Sequence, residues 1–372
     1  MAPKCIQLLP LSLFCFLPAS FADDLSTLSD EFEAASSLSN WSRIFETEGW
    51  GADQMQSVDV GESRGGYLTM VPKTSSWYRD WRGILMYKRI AGDFVATMEV
   101  EPRNRALDGA PASSYSLAGI MARAPRDSIR QPSDWRANGE NYIFLSLGTG
   151  NNPGHYQFEV KSTVNSASSL EIDAGAPRAI IQVVRLGEVF LVLRKLEGGD
   201  WEVHRRYRRS DMPDTLQVGI TAYTDWESVE LMDPFEHNRS SIDGHSPDLN
   251  AAIDYFRFKR PRVPAALAGV DFADPLEVPD GQIVALFGDR ANRDPLAPPS
   301  YDLVITDQDY APGVGMEVEF ESVPGVFYRV ERSSDMQQWT FVEDAEATAE
   351  RLRFVVPESD GDGSLFLRVA ED

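Results

Sequence analysis

The chain has 372 residues, 58 acidic and 35 basic, with a net charge of −23 and 42% hydrophobic residues. That charge excludes nucleic acid and anionic membrane surfaces as natural partners, since both are polyanions. Both cysteines, Cys5 and Cys15, fall in the first 22 residues, so the remainder must be held by its core rather than by disulfides.

Residues 1–22 have the form of a secretory signal peptide. Lys4 precedes the apolar run "CIQLLPLSLFCFLP", and small residues stand at Ser20 and Ala22. Cleavage after Ala22 is expected, which places the protein outside the cytoplasm, secreted or periplasmic, in a bacterium. Pro10 and Pro18 break the run and no later stretch is long and apolar enough to span a bilayer, so no membrane insertion is expected. Losing Lys4 makes the remaining chain one unit more negative.

Residues 23–260 alternate between short apolar or β-branched stretches and turns rich in Gly, Pro, Asn and Asp. "GYLTMV", "GDFVATMEVE", "SLAGIMARA", "NYIFLSLG", "HYQFEVKSTV", "RAIIQVVRLG", "EVFLVLRKL", "WEVHRRY", "LQVGITAY" and "AIDYFRFKR" are predicted strands. Many short strands between turn signals predict a sandwich or barrel. Within this region "KTSSWYRDWRG", residues 73–83, concentrates aromatic and charged side chains. On a strand, Trp77, Arg79 and Trp81 would share one face, with Tyr78 and Asp80 on the other. Flat rings stack on the C–H faces of sugars, and a guanidinium fork can bond hydroxyls. A packed cation–π stack has the same composition. "PSDWRANGENY" adds Trp135 in a loop. In "HRRYRRSD", Arg206 and Arg208 point one way and Arg205, Tyr207 and Arg209 the other. Such forks suit a sulfated or uronic polysaccharide, or else pair with the chain's many acids.

From 261 the texture turns to Pro, Ala and Asp, as in "RDPLAPPS", and predicts a linker over 261–300 with a short ordered piece at "QIVALFGD". Strand patterns return over 301–372 and predict a small β domain. "SDGDGS", residues 359–364, is shorter than an EF-hand loop and reads as a solvated turn.

Several stretches together resemble a known family. "LSDEFEAASSLSNW" and "AIDYFRFKR" resemble the opening and closing strands of laminarinase-type glycoside hydrolases and related concanavalin A-like domains. "AGDFVATMEVE", "AGIMARA", "VVRLGEVFLVLRK", "GGDW" and "MPDTLQVGITAY" resemble a non-catalytic branch that includes modules attached to bacterial xylosidases. The resemblance covers residues 28–260. It implies an all-β jelly-roll sandwich whose concave face takes a glycan. It also implies a structural calcium ion near the first and last strands, with Asp254 as the matching acid and Asp30 at the other end. The terminal stretches "VPGVFYRVERSSDMQQWTFV" and "LFLRV" resemble a fibronectin-like secreted module.

The catalytic signature of the related glucanases is missing. Retaining glycosidases need two carboxylates about 5 Å apart. The strand aligned with the catalytic one, "ENYIFLSLG", offers Glu140 and then Tyr142, Phe144 and Ser146 on the same face. Glu99 and Glu101 share a strand face, as solvated strands often do. His155, His204, His237 and His245 have no metal-ligand spacing. In "GHYQFEVKSTVN", His155, Gln157 and Glu159 share one face and Tyr156, Phe158 and Val160 the other, with no lyase motif. The expectation is a non-catalytic, lectin-like protein that binds a polysaccharide. The alternatives are a hydrolase or lyase with an unrecognised site, and a structural or adhesion sandwich without a glycan.

Overall fold

The structure is a computed structural model that describes residues 24–289, 291–292, 305–311, 315–322, 326–357 and 366–371. Residues 1–22, expected as a signal peptide, the stretch "RDPLAPPS" and "SDGDGS", expected as a turn, lie outside the described residues. The chain divides into two compact units, Asp23–Pro298 and Pro299–Asp372.

The first unit is a sandwich of fourteen strands: β1 (Ser42–Arg43), β2 (Met55–Val60), β3 (Leu68–Pro72), β4 (Met86–Ala91), β5 (Phe94–Arg103), β6 (Ser116–Arg123), β7 (Tyr142–Thr149), β8 (Gln157–Val164), β9 (Ala167–Ala174), β10 (Ala179–Leu186), β11 (Val189–Leu196), β12 (Trp201–Arg208), β13 (Thr215–Tyr223) and β14 (Asn250–Lys259). They form two seven-stranded antiparallel sheets. The first runs β1-β4-β13-β6-β7-β8-β9 and the second β12-β11-β10-β5-β14-β3-β2. This is a jelly-roll sandwich. The period-2 pattern explains why it forms. Ala118, Ile120 and Ala122 of β6, Ile143, Leu145 and Leu147 of β7, and Phe158 and Val160 of β8 all point into the inter-sheet core, while their neighbours point outward.

Each sheet's outer face is also covered. Residues 261–292, expected as a linker, instead lie along the second sheet. There a helix (Asp280–Phe287) and the segment before it bury Phe272, Val278, Ile283 and Phe287 against Val184, Leu191, Leu193 and Trp201. The ordered piece at "QIVALFGD" is this helix. The texture misled because four anchoring apolar residues are spread through Pro- and Asp-rich sequence with no regular period.

The second unit pairs two three-stranded antiparallel sheets. One orders Ile305–Ala311, Gly315–Glu321 and Arg351–Pro357, and the other Thr340–Glu346, Phe327–Ser333 and Phe366–Glu371. Val318, Phe320, Tyr328, Val330, Phe354 and Val369 fill the space between them. The turn at Ser333-Ser334-Asp335 closes locally, with Asp335 Oδ1 accepting from the Gln337 and Gln338 amides at 2.8 Å.

Candidate functional site

The stretch 73–83 is not a strand. After β3 the chain crosses the outer face of the first sheet as a strap and returns at β4. Its anchor is Trp77, which is fully buried. The ring stacks edge-on against Tyr142 at 5.5 Å, and Nε1 donates to the Ile84 carbonyl at 2.8 Å. Gly83 is required here, because a Cβ would sit 2.8 Å from the Trp77 ring. Trp77 therefore cannot be a glycan contact; it is packing.

The next four residues form a tight hairpin. Tyr78 and Trp81 exchange backbone hydrogen bonds at 3.2 and 2.9 Å, and Arg79 occupies the left-handed region at φ 51°. That turn overrides the expected alternation. Tyr78 and Trp81 come to the same side, with rings stacked at 6.5 Å and 28°. Trp226, from the loop after β13, meets both edge-on at 5.3 and 5.4 Å. All three rings are half-buried, and Arg79 is exposed with its guanidinium over Tyr78. The sequence did not single out Trp226. A tryptophan amid loop acids straight after a predicted strand was the available signal.

The hairpin is held from every side. Asp80 accepts from the Asn138 amide at 2.9 Å and from the Ser166 hydroxyl, and its carbonyl accepts from Asn238 Nδ2 at 2.9 Å. The Arg79 amide donates to Ser168 Oγ on β9, and Trp81 Nε1 donates to the Met232 carbonyl. Nine non-glycine residues among those described have positive φ. Six of them (Arg79, Tyr115, Asn138, Asn165, Ser166 and Asp225) belong to the hairpin, its supports or their immediate neighbours. Left-handed bulky residues such as Tyr115 and Arg79 cost of order 1–3 kcal/mol each and persist only where surroundings fix them.

Beneath the strap lie buried charges. Arg123 is gripped by Glu140 through two hydrogen bonds of 2.7 and 2.9 Å, and donates to Glu48 at 2.7 Å. Arg126 reaches Glu140 at 2.9 Å. Burial alone would raise the Glu140 carboxyl, but Arg123 and Arg126 outweigh it and hold it down at about 2. Burial lowers the neighbouring Arg82 guanidinium to about 10. Lys161 is also buried; it donates to the Trp77 carbonyl at 2.6 Å and pairs with Glu159 at 3.0 Å. Burial pushes its ammonium down, against the pull of Glu159. Glu140 is clamped between Arg123 and Arg126, and Glu159 pairs with Lys161 through Oε1 while its buried Oε2 has no hydrogen-bond partner. Glu99 and Glu101 share the outer face of β5 as read, each with arginine partners.

Trp135 sits half-buried in a second aromatic group with Trp50 and Phe235, its ring centroid 6.4 and 5.9 Å from theirs. Arg206 and Arg208 do not form a basic binding patch. Arg206 donates to the Phe272 and Val278 carbonyls and pairs with Asp280, while Arg208 pairs with Asp271. Both tie down the segment that covers the second sheet, and the neighbouring Arg205 and Arg209 pair with Glu171 and Asp211. The acids proposed for calcium are not brought together as ligands. Asp30 spends both oxygens, Oδ1 on the Phe32 amide at 3.0 Å and Oδ2 on Trp41 Nε1 at 2.9 Å. Asp254 lies instead within the field of Arg257, Arg64 and Arg178. These surroundings do not fit a calcium ion. Among the described residues no group of three or more His, Cys, Asp or Glu is placed to hold a metal.

No known protein family matches the chain, and no curated protein does. Among solved structures, a functionally unknown protein from Saccharomyces cerevisiae is 16% identical, with a TM-score of 0.41 over 60% of this chain and 98% of that one. A GH43 protein from Bacillus licheniformis is 15% identical, with a TM-score of 0.39 over 62% of this chain and 39% of that one. Lectin I from Ulex europaeus, in complex with the methyl glycoside of α-L-fucose, is 11% identical, with a TM-score of 0.32 over 59% of this chain and 96% of that one. At such identity and overlap the likeness bears on neither ligand nor activity.

Proposed function

We propose that the protein is a non-catalytic polysaccharide-binding protein that works outside the cytoplasm, and that its contact surface is the tip of the strap rather than the face beneath it. The observation that carries this is the group Tyr78, Trp81 and Trp226: three rings from two segments, half-exposed, around a hairpin that combines a left-handed arginine with a dense set of hydrogen bonds. Rings that only packed would go under, as Trp77 does. Rings held rigid and half-open offer sugar C–H faces a surface at little entropic cost. Arg79 adds a donor fork at the tip. The buried carboxylates under the strap are ion-paired with Arg123, Arg126 and Lys161, which favours binding without cleavage. No helix among the described residues is long and apolar enough to cross a membrane.

The test is affinity electrophoresis of the protein without residues 1–22 through gels containing neutral or anionic polysaccharides, followed by end-group assay of each polymer. Retardation without new chain ends is the expected result; new ends would mean an active site. A second reading, a structural or adhesion sandwich with no glycan, draws on the complete burial of Trp77 and the covered sheet face. The absence of retardation in every gel would favour it.

A further inference from the structure

Asp80 ties two aromatic groups to one hairpin. Its carboxylate accepts from the Asn138 amide, three residues after Trp135. Its carbonyl accepts from Asn238 Nδ2, three residues after Phe235. Trp81, the next residue, belongs to the first group with Tyr78 and Trp226, and its indole donates at 3.2 Å to the carbonyl of Met232, three residues before Phe235. Three residues of chain span at most about 11 Å, so the two groups are close neighbours along the loop. Among the described residues no ring of one group stacks on a ring of the other, so the two groups are separate contact surfaces.

The charge between them is equally informative. The connecting loop carries Glu227, Glu230 and Asp233, all exposed, and Glu236 beyond. Glu236 pairs with Arg239, and Asp233 caps the short helix Pro234–Asn238 through the Phe235 and Glu236 amides. Glu227 and Glu230 have no ion-pair partner among the described residues, and neither do Arg79 at the tip and Arg136 beside Trp135, whose guanidinium donates only to the Ser133 and Trp135 carbonyls, so free charges of both signs lie along the path and no run of free arginines faces a polyanion. The arginines that would have suited a polyanion, Arg206 and Arg208, are bound to acids elsewhere.

We infer that the ligand is an uncharged polysaccharide held along its chain, crossing from Tyr78, Trp81 and Trp226 to Trp135 and Phe235, and not a terminal sugar or a polyanion. This rests on the binding role proposed above. Calorimetric titration separates the two claims, using uncharged gluco- and xylo-oligosaccharides from disaccharide to octasaccharide, with polygalacturonate fragments as the anionic series. Affinity for one uncharged series should rise at least about tenfold with length and be indifferent to salt. Phe235→Ala should erase most of that gain while leaving the shortest oligomer unaffected. Equal affinity for short and long oligomers would overturn the chain-spanning site. Binding confined to polygalacturonate and lost in salt would overturn the uncharged ligand; in both cases the binding role survives. No heat in either series, together with no retardation in polymer gels, would overturn this inference and the binding role alike. The length and salt series use the unaltered protein, so they decide even if Phe235→Ala does not fold.

Discussion

The two outer faces of the first unit are each covered by a single stretch of chain, and the two covers are built by opposite means. Over the second sheet, 261–292 lays down Phe272, Val278, Ile283 and Phe287, and arginines of β12 pin its carbonyls. Over the first sheet the strap is fixed by Trp77, by hydrogen bonds to Asn138, Lys161, Ser166, Ser168, Met232 and Asn238, and by a floor of buried charge. The first arrangement rests on apolar packing braced by two arginines of β12. The second spends backbone strain and buried ions, and leaves three rings half-open at its tip. A cover needs none of that; a rigid contact surface does.

The largest expected effect lies under the strap. Arg123→Ala leaves Glu140 and Glu48 buried without their main partner and should cost about 3–5 kcal/mol in urea unfolding. A loss under about 1 kcal/mol would mean the charged floor is not what supports the strap. On the other face, Phe287→Ala should cost about 3–4 kcal/mol by cavity formation and leave glycan retardation intact. If retardation disappeared as well, the contrast between the covers would fail.

Acid should act through the loop that supports the strap. His237 is fully buried, and burial, helped by Arg82, lowers its pKa to about 4. An unfolded histidine binds its proton near 6.5, so between these values the unfolded state holds more protons and stability falls as pH falls. The contribution is intact above about 6.5 and lost by about 4, a change of roughly 3 kcal/mol. His237→Gln should flatten the unfolding profile in that window; an unchanged slope would place the acid sensitivity elsewhere. The smallest effects are expected from chelation. With both Asp30 oxygens taken by protein donors, EDTA should leave the unfolding midpoint where it is, and a clear drop would reinstate the calcium site.

The sandwich was legible because its strands obey a strict two-residue period: Phe158 and Val160 went inward and Gln157 and Glu159 outward, as read. The site itself was half legible. "SSWYRDWRG" drew attention by composition, but strand alternation grouped Trp77 with Trp81. One left-handed residue, Arg79, regrouped Trp81 with Tyr78, and the third ring, Trp226, came from 145 positions further on. The arginine run was misjudged because its partners, Asp271 and Asp280, lie in a stretch whose proline content hid a packed segment.

The central claim is that the strap's half-open rings bind glycan and the other cover does not. The most direct measurement compares the unaltered protein, Trp226→Ala and Leu276→Ala in polysaccharide gels, each first shown to unfold at a normal midpoint. Leu276 is 91% exposed on the second cover. The account predicts that Leu276→Ala is retarded like the unaltered protein and that Trp226→Ala runs free. Equal retardation of all three, or none in any gel, would contradict it.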